Sequence, residues 1–344
     1  MLDDLTVMHE RDTQDALGAV EQQARQLRGH IDVPQHRVMA SSIIVCGIGA
    51  AQVATEMLCA WPGTSVPLET VSGDLPAYVA AETLCVVTDF GDDATATMRA
   101  LADAEARGAR VVVLTNSGTV PGDSRYRQHQ VVTLPHMQTP RFNLLLIYKA
   151  LLAVMSGAGL LATNADAMTM LAEAETWLAE ATTNWSRVIP KSRNAAKALA
   201  YEIIGKSVVI CSGPLLAPAA LSWKLGLNES AKHVAWTSTY PAASYGELIG
   251  WTQQPIDKPY TVIDLRSELD QPWIRQQIEL SERLLSGLRP SPEIVRVEGN
   301  TPLQQLLWAT CFGSYVSVYV ALLNGINPTP TDIRDKFSKR MESA

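Results

Sequence analysis

Five short runs in the first 135 residues are rich in Val, Ile and Leu, and most are apolar almost from end to end: SIIVCG (42–47), PLETV (67–71), LCVVTD (84–89), RVVVLT (110–115) and QVVTLP (130–135). A strand with one wet face alternates apolar and polar residues, so a nearly unbroken apolar run requires cover on both faces. Between the runs, AAQVATEMLCAW and DDATATMRALADAEARGA space their apolar residues three and four apart, the helical period. Strand and helix alternating in this way predict a parallel sheet sandwiched between helices. The first half is therefore expected to be α/β.

A helical stretch from about Pro140 to Ala200 carries DAMTMLAEAETWLAEATTNW and NAAKALAYEII. The same grammar then restarts: KSVVICSG (206–213), the helix LAPAALSWKLGLNESAK, HVAWTST, TVIDL, EIVRV and the long helix TPLQQLLWATCFGSYVSVYVALLNG. VCGIGA and VICSGP both end a strand in a small-residue turn, and TLCVVTD and YTVIDL both carry an Asp near the strand end. This reads as a duplicated α/β unit. The expected fold is two doubly wound parallel-sheet domains with flanking helices, an N-terminal domain over residues 1–160 with a leading helix and a C-terminal one over 161–344 with the connecting helices.

Composition bounds the function. Of 344 residues, 47% are hydrophobic and 18% charged, against roughly 25% charged in typical soluble chains, so there is apolar surface enough for two cores. Net charge is -7, the wrong sign for a partner that must neutralise phosphates, which excludes nucleic acid. Five cysteines without paired short spacings form neither a disulfide framework nor a metal site; Cys46, Cys85 and Cys211 sit inside apolar runs as small hydrophobes. The opening MLDDLTVMHERDTQDALG is acidic and amphipathic, unlike an export signal, and a cytoplasmic location is expected. The greasy segment from Leu144 contains Lys149 and several small residues, so it reads as a core helix and no membrane is expected. Seven of eight tryptophans lie in the second half without a regular stripe, as packing residues do.

Ligands of open parallel sheets bind beyond the carboxyl ends of the strands, so the loops after Cys46, Thr88, Thr115 and Cys211 are the places to look. Gly47-Ile48-Gly49 closes a strand and opens a helix, leaving backbone N–H groups to face an anion. A dinucleotide fold uses the same device, and Glu69 lies twenty residues past Gly49, yet Gln52 stands where the third fingerprint glycine belongs. A dinucleotide site and a bare tight turn both remain open on these residues alone.

The order of segments further along goes beyond composition. GIGAAQ, DLPAYV, TDFGDDATA, TNSG and Pro140-Arg141, then LNESAK (227–232), YPAASYGELIGW (240–251) and the tail NGINPTPTDIRDKFSKR, follow one layout over nearly the whole chain. It resembles the sugar isomerase (SIS) domain, and more narrowly the bifunctional phosphoglucose/phosphomannose isomerase family. The resemblance implies aldose–ketose isomerisation of a sugar phosphate, glucose-6-phosphate or mannose-6-phosphate to fructose-6-phosphate, without cofactor or metal. It implies a homodimer with the site at the subunit interface, and a small-molecule sugar or sugar phosphate as ligand. It also places Glu229 as the carboxylate that moves a proton between C1 and C2, and Arg141 as the cation over the enediolate oxygen. The readings without function are an ion pair of Glu229 with Lys232 or Lys224, and a surface charge at a helix start for Arg141.

Other positions depart from the family pattern. The ring-opening histidine falls on Tyr245, a phenol with an ordinary pKa near 10 and a poor shuttle at neutral pH, while nearby His233 reads as a strand-start packing residue. The tail lysine falls on Ser338, with Lys339 one position off, about 100° around a helix. In the ligand-binding set Gly47, Gly49, Ala51, Thr88, Gly91 and Asp93, Ala51 replaces a serine and only Thr88 keeps a hydroxyl among the clamp positions Thr88, Phe90 and Asp93. Three lost hydroxyl–phosphate bonds at roughly 1.5 kcal/mol each would cost about a thousandfold in affinity. Asp89, Asp92 and Asp93 would also repel a phosphate unless a cation bridged them; their alternative role is to cap the helix that follows. Activity is thus left open by sequence. The alternative is a non-catalytic SIS-fold protein binding a carbohydrate derivative or a partner enzyme. Rich Ala and Arg usage beside few Lys further resembles an actinobacterial branch associated with mannose metabolism.

Overall fold

The computed structural model describes residues 1–33, 35–90, 94–116, 126, 128–137, 139–163, 165–253 and 259–342, with backbone alone at 94, 95 and 342. Helices α1 (Leu5–Arg11) and α2 (Ala16–Glu21) precede a run of β1 (Ser42–Cys46), α3 (Ala50–Ala60), β2 (Leu68–Val71), β3 (Thr83–Asp89), α4 (Ala94–Ala106), β4 (Arg110–Asn116) and β5 (Gln130–Leu134). Helices α5 (Leu144–Ala158), α6 (Ala167–Thr182) and α7 (Ala195–Ile203) follow. A second run comprises β6 (Ser207–Ser212), α8 (Ala217–Glu229), β7 (Ala235–Thr239), α9 (Ala242–Gly246), β8 (Tyr260–Arg266), α10 (Pro272–Leu284) and β9 (Glu293–Arg296), before α11 (Pro302–Leu323) and α12 (Asp332–Glu342). Packing divides the chain into a first-sheet unit, residues 25–175 with 331–344, and a second-sheet unit, residues 1–24 with 176–330.

Both sheets are parallel throughout. The first runs β2-β1-β3-β4-β5 and the second β7-β6-β8-β9, so each turns back on itself beside its first strand. The central strands β1 and β3 are buried along their whole length, as their unbroken apolar runs require, whereas edge strand β2 stays half exposed. A doubly wound sheet leaves a crevice where the strand order reverses. In the first unit that point lies between β1 and β3, and in the second between β6 and β8.

The core of the second unit forms around α11, which is apolar on every side and packs against α8, α7 and α2. Trp185 meets the rings of Trp308 and Phe312 edge-on at 4.9 Å each. Trp223 crosses Gly313, where any Cβ would lie 2.0 Å from the indole, and its Nε1–H donates to the Ala309 carbonyl at 2.7 Å. That crossing needs glycine, not for its dihedrals but for its missing side chain. Trp236 and Trp273 are about half exposed, so the tryptophans divide between core and surface. The segments Pro140–Ala158 and Pro302–Leu323 are long and apolar enough to cross a bilayer, but 78% and 89% of their apolar windows are buried within the protein. Lys149, in the first of them, is 2% exposed and donates to the Arg28 and Gly29 carbonyls at 2.6 and 2.5 Å, which offsets the cost of burying its charge. The five cysteines are free; burial pushes the thiols of Cys46 and Cys211 up to about 12.

Candidate functional site

At the β1/β3 reversal the chain turns from Cys46 into α3 through Gly47, Ile48 and Gly49. A Cβ on Gly47 would stand 2.4 Å from the Thr88 hydroxyl and 2.7 Å from the Ala51 methyl, so only glycine admits the close approach of the two loops. Gly49 adopts φ +57°, in the left-handed region, and serves as N-cap of α3 without any side chain capping that helix. The Ala51 N–H donates to the Ile48 carbonyl at 3.2 Å, and the other first-turn N–H groups of α3, those of Ala50 and Gln52, are left for solvent or an anion.

Two threonines seal the floor. Thr88 Oγ1 donates to the Cys46 carbonyl at 2.9 Å, and Thr97 Oγ1 donates to the Thr88 carbonyl at 3.3 Å. Around them lies a cleft of about 460 Å³, counted to its open mouth, lined by Gly47, Ile48, Ser72, Thr88, Phe90 and Thr97 among others. None of the described residues lining it carries a charge. The described residues of the cleft therefore offer backbone dipole and hydroxyl oxygens rather than a cation to an incoming ligand.

Of the residues singled out from sequence, the structure brings Gly47 and Thr88 together at this cleft. Gly49 and Ala51 shape the turn, with Ala51 1% exposed beneath it. Gly91, Asp92 and Asp93, and Ser117 and Gly118 of the TNSG segment, lie outside the described residues. Asp89 is buried and accepts the Tyr126 hydroxyl at 2.6 Å. Ser72 and Thr97 were missed; the signal for Ser72 was the Ser-Gly-Asp turn directly after β2, and for Thr97 its place one turn into the helix after Thr88.

The remaining named residues stand as follows within their own units. Glu229 is the last residue of α8 and half buried. The ammonium of Lys232, a residue at φ +52°, donates to the backbone carbonyl of Glu229 at 2.8 Å and to that of Pro330 at 2.7 Å, clipping the helix end to the proline-rich tail. His233 donates from Nε2 to the Lys206 carbonyl, which makes it a strand-start tether. Tyr245, in α9, is 84% exposed. In the first-sheet unit, Arg141 lies over the Phe142 ring at 4.7 Å in the turn before α5, and Lys339 is exposed on α12.

The β6/β8 reversal is built from the same parts and closed. A Cβ on Gly213 would meet Asp270 Oδ2 at 2.2 Å, and the Asp270 carboxylate accepts the Leu215 N–H at the start of the following helix. Burial pushes the Asp270 carboxyl up to about 6. An internal acid thus occupies the position that stays open in the first sheet.

This architecture has known counterparts. Residues 192–341 match the family described as bacterial phospho-glucose isomerase C-terminal SIS domain. The chain is similar to a SIS domain of that description over those residues. It is 21% identical over 315 residues to a bifunctional phosphoglucose/phosphomannose isomerase of Aquifex aeolicus, covering 90% of this chain and 93% of that protein. It is 24% identical over 328 residues to the protein of the same name from Caldicellulosiruptor bescii, covering 93% and 95%. Among solved structures, a glucose-6-phosphate isomerase like protein from Thermus thermophilus superposes with a TM-score of 0.65 over 96% of this chain and 98% of its own, at 19% identity. The SIS-type α/β fold thus extends over both units, and the alignable length includes the stretch carrying the glycine turn.

Proposed function

We propose that the protein is a sugar-phosphate aldose–ketose isomerase interconverting glucose-6-phosphate or mannose-6-phosphate with fructose-6-phosphate. The observation that carries the reading is the open β1/β3 crevice, where an uncapped helix start, Gly47 and the Thr88 floor leave room for a small anionic sugar. The near full-length similarity to proteins named phosphoglucose/phosphomannose isomerases supports the choice of substrate class.

In this reading the substrate's phosphate docks at the α3 N-terminus, held by backbone N–H groups in place of the serine that Ala51 replaces. Glu229 takes the C2 proton of the open-chain aldose and returns it to C1, and Arg141 stabilises the enediolate oxygen charge. Tyr245 assists ring opening by hydrogen bonding rather than by proton transfer, and Lys339 takes the part of the tail lysine. Gly91 and Asp93 count among the ligand-binding residues by the family pattern. The assembly is a homodimer that completes the site, and the location is the cytoplasm, which suits five free cysteines. A coupled assay of purified protein with fructose-6-phosphate tests this. Turnover that falls at least about a hundredfold in Glu229→Gln is expected; no turnover, or turnover indifferent to that change, contradicts it.

A further inference from the structure

The second-sheet unit has a cleft of its own at the carboxyl ends of β8 and β9, about 720 Å³ to its open mouth, which the proposed isomerisation does not use. Arg266 ends β8, Arg296 ends β9, and Arg275 stands near the start of α10, where no side chain caps the helix. Three guanidinium groups thus converge where parallel sheets bind ligands.

Their hydrogen bonding is incomplete. Arg266 uses one nitrogen, Nη2, for both Asp264 at 3.2 Å and Glu282 at 2.5 Å, and Arg275 uses Nη1 for Glu268 at 3.0 Å. The Nε–H groups of Arg266 and Arg275 are shielded from solvent and have no acceptor. Arg296 is exposed and makes no ion pair among the described residues. Buried donors without partners are uncommon in folded proteins and mark places where an acceptor is missing. Two carboxylates, Glu268 and Glu279, line the same cleft, and two more, Asp264 and Glu282, pair with Arg266. Glu268 is neutralised by Arg275, and the ion pairs to Asp264 and Glu282 fix the Arg266 fork in place. An oxyanion accepts side-on from the Nε and Nη2 edge of a guanidinium, the edge left free on Arg275, whereas on Arg266 only Nε lacks an acceptor.

We propose that the Arg266/Arg275/Arg296 cleft is an oxyanion-binding site for the phosphate group of a small molecule, separate from the crevice proposed for isomerisation. Calorimetric titration of inorganic phosphate into the full chain at low ionic strength tests it, because the attraction is screened by salt. Millimolar binding is expected, at least about tenfold weaker in Arg296→Gln, whose exposed side chain can be changed without disturbing the core, and similarly weaker in Arg275→Gln. Gly47→Val, which obstructs the first-sheet crevice, should retain this binding. No heat up to about 10 mM phosphate, or binding that both arginine variants leave unchanged, overturns the site. Binding abolished by Gly47→Val and indifferent to the arginines would place the anion in the first sheet instead, which overturns this inference while leaving the proposed isomerase reading intact.

Discussion

The two sheets reverse strand order at equivalent places, beside β1 and beside β6, yet the crevices have opposite contents. In the first, a glycine turn and an uncapped helix face an open cleft floored by Thr88 and Thr97, with no charge among its described lining residues. In the second, the carboxylate of Asp270 fills the space under Gly213 and takes the Leu215 N–H for itself. The comparison teaches that strand order supplies a potential site, and that one side chain decides whether it is available. An acid held inside the turn acts as a permanent occupant, competing with any external anion.

The largest expected effect breaks the closed half. Gly213→Ala would drive a methyl to 2.2 Å from Asp270 Oδ2, an overpacking that costs about 3 kcal/mol or more, read as a lowered denaturation midpoint. Asp270→Ala in the same chain should recover much of that loss by vacating the space. A single variant as stable as the parent would show that the turn is not filled.

The charge state of the occupant gives the next test. With the folded carboxyl at about 6 against 3.8 for the unfolded chain, the folded state holds its proton more tightly. Below pH 3.8 both states are protonated and no penalty applies. As pH rises from about 4 to about 6 the unfolded state ionises first, and stability is lost; above that the penalty is constant, on the order of 3 kcal/mol. Asp270→Asn, which can still accept the Leu215 N–H, should therefore be more stable than the parent at about pH 7 and converge with it near pH 4. Melting curves that stay parallel across that range would contradict the raised value. The smallest effect sharpens the open half: Thr88→Val removes the bond to the Cys46 carbonyl and should destabilise by about 1 kcal/mol in urea unfolding.

Much of this was legible in the residues. Each Val/Ile/Leu run became a buried or edge strand because continuous apolar sequence requires double cover, and Gly47 and Thr88 were visible because a turn after a strand end is a local signal. The closure by Asp270 was not legible. Its partner Gly213 is 57 residues away, and no local pattern announces a carboxylate reaching back across the sheet. Convergence of Arg266, Arg275 and Arg296 was hidden for the same reason, since they come from two strands and a helix. Asp89 read as a repulsive charge on the ligand loop, whereas the buried hydroxyl of Tyr126, from a distant segment, engages it.

Binding of fructose-6-phosphate to Gly47→Val tests most directly the claim that the β1/β3 crevice is the open one. Calorimetry should show binding to the parent chain and at least about a hundredfold loss in the variant, because the new side chain would stand within 2.4 Å of the Thr88 hydroxyl and fill the turn. Equal affinity in the two proteins would contradict the account.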